Sequence, residues 1–253
     1  AVLFWDEPEA NINPSYISIF HELGVDIVSL ANNHTLDYGA DALLETFSLL
    51  DEEKIIYSGA GETYERSKEL QTFYAGGKTI GILSASRVIP EILWDSRNSL
   101  PGVFTTYDEK ALCEAINEAD KVCDYVFVYV HWGIEKEEEP REYERDLAAA
   151  YVNAGADLVI GSHPHVLQGM EFIDGVPVYY SLGNYIFHKT TDKTMLLSAE
   201  IDSFGVRTRI IPAHTSDSYL EKMSDKDAAD LYEYLEQISY GVSIDEGGYV
   251  KAQ

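Results

Sequence analysis

Basic residues are scarce in this chain of 253 residues: 18 lysines and arginines stand against 44 aspartates and glutamates, for a formal net charge of −26. A surface of that sign repels phosphate backbones and anionic lipid headgroups, so sequence-independent nucleic-acid binding is excluded. A polyanionic ligand meets the same field and has to be captured locally, by metal ions or a few arginines. Cysteine is nearly absent; Cys113 and Cys123 are too few for a disulfide framework and lack metal-ligand spacing, which leaves inert thiols or a single bridge. No apolar run reaches the length of a membrane-spanning helix, and no positively charged start leads into a signal-peptide core. Internal repeats, low-complexity tracts and linkers are missing too, so we expect one domain over residues 1–253, large enough to bury a sizeable core. The chain opens on Ala1 instead of Met, as a segment of a longer protein does.

What the chain does hold is an alternation of helical and β-type segments. Apolar residues at helical spacing run over 14–23, Gly24 supplies a stop, and the β-branched run 25–30 reads as a buried strand. A loop at 31–39 leads to a helix over 40–50 and a short strand at 55–57. Segments 70–74 and 79–84 flank Ala75-Gly76-Gly77-Lys78 as a hairpin, so the sheets are mixed. Residues 86–106, with Pro90, Pro101 and Gly102, lack periodicity and form a long loop of the kind that carries function. Helices over 108–119 and 142–154 each precede an apolar strand, at 125–130 and 157–160. Strands at 176–181, 195–201 and 206–211, the last two joined through 202–205, and a helix over 225–238 complete an α/β pattern.

Histidines recur where these strands end: Asn32-Asn33-His34, His131-Trp132-Gly133-Ile134-Glu135 and Gly161-Ser162-His163-Pro164-His165. One sheet edge would then gather an amide oxygen and four imidazoles, which is metal-site chemistry. An Asn carbonyl can ligate one metal while the adjacent His donates a proton to a leaving oxygen. Asn33, His131 and His163 are the candidate ligands of that metal, and His165, two residues on in an extended segment, reaches a second. His34 is the candidate general acid. Asp37 either fixes the tautomer of a neighbouring His or caps the helix near Ala40. Glu135 is a candidate ligand or base, whereas Glu137-Glu138-Glu139 reads as a solvated face. Arg87 is an anion clamp or a surface arginine, and with Asn184 it makes up the candidate substrate contacts. His188 is a weaker pocket candidate; His21, inside a helix, and His214, after the last strand pair, read as structural. Each residue taken singly has an ordinary turn or loop explanation, and the metal reading rests on their combination.

At these residues the chain resembles the CapA/PgsA family of bacterial capsule and poly-γ-glutamate synthesis proteins, which is related to the calcineurin-like metallophosphoesterases. The resemblance runs through Ser29-Leu30-Ala31-Asn32-Asn33-His34, Asp37-Tyr38-Gly39, Gly59-Ala60-Gly61, Pro101-Gly102-Val103, the His131 and His163 motifs with Val166-Leu167-Gln168-Gly169, and Tyr180-Ser181-Leu182-Gly183-Asn184-Tyr185-Ile186-Phe187. It implies an α/β/β/α four-layer sandwich of two mixed sheets with the metal centre at the strand ends. It also implies that Asn33, His131 and His163 hold one divalent metal of the Mn, Fe or Zn class, His165 the other, and that His34 is the acid. Members of the family begin with a Gly-Asp strand and an Asn-x-Glu motif, and neither precedes Asn33 here. The expectation is therefore a domain lacking its N-terminal strands, with one metal site intact and with any membrane anchor in the absent segment, at the outer face of the cell membrane.

The leading function is a metal-dependent hydrolase or transferase serving an anionic surface polymer or its precursor, together with membrane synthase subunits. A non-catalytic assembly or export subunit is the alternative from another class. A small-molecule phosphoesterase is the third, on fold analogy alone.

Overall fold

The computed structural model describes residues 2–4, 14–185, 190–202, 205–216 and 219–253; His188, the segment 5–13 and the predicted turn residues Ser203 and Phe204 lie outside them. The chain is a mixed α/β protein made of two compact units, Ala1–His131 and Trp132–Gln253.

The first unit opens with β1 (Val2–Phe4), a 3₁₀ turn and the short α1 (Ser18–Glu22), followed by β2 (Ile27–Ser29), α2 (Gly39–Glu52) and β3 (Ile56–Ser58). Strands β1, β2 and β3 lie side by side in parallel. Helix α2 packs its Leu43, Phe47 and Leu50 with Val25, Val28, Ile55 and Tyr57 into one core, where the Phe47 and Tyr57 rings stack at 4.9 Å. After β4 (Ala60–Gly61) and α3 (Tyr64–Ser67) come β5 (Gln71–Ala75) and β6 (Lys78–Ser86), then β7 (Gly102–Val103), α4 (Glu109–Asp120) and β8 (Tyr125–His131). Strand β6 is antiparallel to β5 and parallel to β8, with Ser86 in register with His131. Gly59, at φ +89°, makes a close approach possible: a Cβ there would lie 2.5 Å from Ala31 Cβ and 3.0 Å from Ser84 Cβ. The chain just before Asn32 is thereby pressed against β6.

The second unit contains α5 (Glu142–Ala154), β9 (Leu158–Ser162), β10 (Met170–Ile173) and β11 (Val176–Tyr179), with β11 antiparallel to β10 and parallel to β9. A long antiparallel pair follows, β12 (Thr191–Asp202) and β13 (Gly205–Ser216), extended by β14 (Tyr219–Lys222). Helix α6 (Asp225–Ile238) and the hairpin β15 (Val242–Ile244) with β16 (Val250–Ala252) close the chain. Gly155 ends α5 in the left-handed region at φ 114°, the stop its sequence position predicts. No helix of the described residues is long and apolar enough to cross a membrane.

Segments with a clear period form where expected; α5 and α6 carry the predicted bounds. Strands β4, β7, β10 and β14 to β16, two to four residues each, show no pattern to read because their pairing comes from distant partners. One placement is corrected: His214 lies inside β13, beside Glu221 of β14, and not after the strand pair. The long loop is held by a buried acid. Asp95 accepts hydrogen bonds from the Arg97 guanidinium and the Thr105 hydroxyl. Burial pushes its carboxyl up, but the bonds from Arg97 and Thr105 outweigh that and leave it below the usual carboxylate range. Cys113 and Cys123 are not joined in a disulfide, and burial pushes both thiols up.

Candidate metal centre

In the first unit the loop after β2 is locked by its own polar side chains. Asn32 Oδ1 accepts the His34 backbone N–H at 2.8 Å, and the Thr35 hydroxyl donates to Leu30 O at 2.5 Å, so Asn33 and His34 sit on a fixed turn. From that turn a chain of hydrogen bonds runs through four of the residues singled out by sequence. His131 Nε2–H donates to Asn33 Oδ1 at 2.7 Å, the Asn33 amide N–H donates to His34 Nε2 at 3.1 Å, and His34 Nδ1–H donates to Asp37 Oδ2 at 2.8 Å. The two ends of the Asn33 amide thus face two histidines, with His131 buried at the end of β8. Asp37 fixes the His34 tautomer; helix α2 begins after Tyr38 and takes no side-chain cap.

The second unit presents the other pair. His163 and His165 both hold left-handed backbone angles, φ 100° and φ 59°, with Pro164 between them. For a residue with a Cβ that conformation costs about 1–2 kcal/mol, and strain of this sort collects at working sites. The rings stand 6.0 Å apart. His165 Nδ1–H donates to Asn184 Oδ1 at 2.8 Å, which leaves Nε2 as the lone-pair nitrogen. Trp132 is fully buried and stacks with Tyr151 and with Tyr180, its indole N–H on Tyr180 O at 2.9 Å and its backbone N–H on Ser162 O at 3.0 Å.

The donor types, an amide oxygen and neutral imidazoles, suit a cation of the Mn, Fe or Zn class. Asn33 Oδ1 and His131 Nε2, 2.7 Å apart, have close to the separation of neighbouring ligands held about 2.1 Å from one ion, roughly 3 Å. These residues fit such an ion when it takes the place of the His131 Nε2 proton, the neutral ring then carrying its proton on Nδ1. Within neither unit do three or more His, Cys, Asp or Glu side chains gather at cation-binding spacing among the described residues.

Arg87 lies at the end of β6, its backbone N–H on His131 O at 2.7 Å and its guanidinium over the Tyr107 ring at 4.5 Å. Glu135 is exposed, and Glu137 pairs with Arg141. Sequence reasoning missed the locking role of Asn32 and Thr35, the Tyr107 platform, and Glu144, a fully buried acid on α5. Only Glu144 had a local signal, a glutamate at the third position of a helix.

Residues 3–189, which include all of these positions, match the family described as bacterial capsule synthesis protein PGA_cap. The chain belongs to this family. It is 32% identical over 183 residues to the PGA biosynthesis protein CapA of Bacillus subtilis (strain 168), covering 72% of this chain and 48% of that protein. It is also 32% identical over 179 residues to the capsule biosynthesis protein CapA of Bacillus anthracis, covering 68% and 43%. This PGA_cap chain therefore spans about half the length of the curated relatives it matches. Among solved structures it resembles the Thermus thermophilus sulfate thiohydrolase SoxB, crystallised with glycerol, at a TM-score of 0.52 and 17% identity, covering 88% of this chain and 39% of that one. That likeness concerns the fold alone.

Proposed function

We propose that this PGA_cap protein serves the synthesis of an anionic surface polymer, capsule or poly-γ-glutamate, through a metal-dependent hydrolase- or transferase-type site. The observation that carries the reading is the bonded series Asp37, His34, Asn33 and His131, because it gives an acid–base histidine and a ligand pair a common hinge in one amide. The names of the two Bacillus relatives support the polymer context. We take residues 1–253 as a single domain with a four-layer sandwich of the metallophosphoesterase kind. Its place is the outer face of the cell membrane or the cell surface, beside membrane synthase subunits.

Asn33, His131 and His163 are the proposed ligands of one divalent cation and His165 of a second. When bound, such ions polarise a carbonyl or phosphoryl oxygen and acidify water. His34 is the proposed proton carrier: its Nε2, which accepts the Asn33 amide N–H, takes up the proton that it then donates, while Asp37, bonded at Nδ1, holds the ring. The proton goes to the leaving oxygen or nitrogen. Arg87, its guanidinium over the Tyr107 ring, takes a carboxylate or phosphate of the polymer. Asn184 orients His165 and borders the substrate, and the exposed Glu135 is the second acid–base candidate.

The test is elemental analysis with turnover of a phosphoester and a γ-glutamyl amide probe. His34→Ala should keep the metal and the fold but lower turnover by about 10²–10⁴-fold, the usual worth of a general acid. His131→Ala should lose metal. Absent turnover on both probes, with polymer production still dependent on the protein and tolerant of His34→Ala, would replace the enzyme by an assembly or export subunit.

A further inference from the structure

Glu144 has no part in the chemistry above, yet it is 0% exposed. On the first turn of α5 its Oε2 accepts the Arg141 backbone N–H at 2.8 Å, while Oε1 is buried with no hydrogen-bond partner. Gly133 lies over Oε1: a Cβ on this glycine, at φ +93°, would meet Pro164 Cγ at 2.9 Å and Glu144 Oε1 at 3.0 Å. Carboxyl, turn and proline are therefore packed with room for hydrogen only. The neighbouring residue on α5 fastens the same turn, since Gly133 N–H donates to Tyr143 Oη at 3.0 Å, and Lys136 N–H donates to Pro164 O at 2.8 Å. Pro164 is the residue between the two left-handed histidines.

We propose that Glu144 is a positioning residue whose uncharged carboxyl is the support on which the Gly133 turn and Pro164 rest, and through Pro164 it holds His163 and His165 in their strained pose. The proposal rests on the reading of these histidines as metal ligands. Burial pushes the Glu144 carboxyl up to about 7, opposed by the Arg141 N–H bond and charge and reinforced by Glu137. Tyr143 precedes it on α5 with its hydroxyl on the Gly133 N–H, and His163 and His165 are the chain neighbours of Pro164. Loss of the proton places a carboxylate where one oxygen has no donor, and such a charge draws in water or displaces its neighbours. The turn then lifts and the histidine pair loses its support.

The test follows the Gly133 and Lys136 amides and the Trp132 indole N–H by NMR from about pH 5 to 9, in wild type and in Glu144→Gln, which keeps an acceptor for Arg141 but cannot ionise. Wild type should show a transition centred near pH 7 that the variant lacks, the variant holding the low-pH pattern throughout. A flat wild type, or the same transition in Glu144→Gln, overturns the proposal, and the wild-type measurement stands even if the variant fails to fold. Zinc competition is the second arm: at pH 8 the variant should bind about 10-fold more tightly than wild type, the usual effect of a residue behind the ligands, and equally at pH 6. Equal or weaker binding at pH 8 also overturns it. If neither protein binds zinc, the metal reading fails, while the amide transition still decides whether Glu144 supports the turn.

Discussion

Replacing Gly161 by alanine would put a methyl group into space already filled by a buried hydrogen bond. In β9, two residues before His163, a Cβ on Gly161 would fall 2.1 Å from Tyr180 O and 2.2 Å from Trp132 Nε1. Those atoms form the indole-to-carbonyl bond of 2.9 Å, and one of them is main chain, so neither can swing aside. Breaking the bond strands a buried donor and acceptor at a cost of about 1–3 kcal/mol. Forcing the strand and the indole apart adds roughly 1–3 kcal/mol of overpacking. The expected loss of about 2–6 kcal/mol is a large part of the about 5–15 kcal/mol that holds a domain. Gly175→Ala is the control, because at φ +86° with nothing within 4 Å it should lose only the about 1–2 kcal/mol of the left-handed conformation. Urea unfolding followed by circular dichroism and tryptophan fluorescence measures both. A Gly161→Ala loss no greater than the Gly175→Ala loss would refute the close-approach argument. The displaced strand should also lower zinc binding through His163.

Three further outcomes are expected. The raised Glu144 acid binds its proton more tightly folded than unfolded, so its contribution is fully present below about pH 4.5 and is lost as pH rises through about 7; the whole amounts to about 3 kcal/mol and should vanish from the pH–stability curve of Glu144→Gln. His163→Gly removes the left-handed penalty and should raise the unfolding free energy by about 1 kcal/mol while lowering metal content, so a variant that loses both stability and metal would show that the ring's packing outweighs the strain. Asp95→Ala leaves the Arg97 guanidinium and Thr105 hydroxyl without their acceptor, and thermal unfolding should register a loss of about 3 kcal/mol, with the 86–106 loop becoming protease-sensitive.

Several features follow from local sequence alone. Helices α5 and α6 end where their apolar period and the Gly155 stop place them, because these are effects of a few neighbouring residues. The motifs around Asn33, His131 and His163 are likewise legible, since each is a polar cluster directly after an apolar run, and the family match over residues 3–189 agrees with them. Asp37 marks the limit of that reading. Its sequence position allowed a helix cap or a histidine partner, and only the folded turn, tied by Asn32 and Thr35, aims its carboxylate at His34 Nδ1. The bond between His131 and Asn33 joins residues 98 apart in the chain, and no periodicity reports a contact at that separation. Nor does an α5 glutamate among many in an acidic chain announce burial. Glu144 becomes unusual only when Gly133 and Pro164 close over it, because exclusion of water, which sets its protonation, is a property of packed neighbours and not of the residue itself.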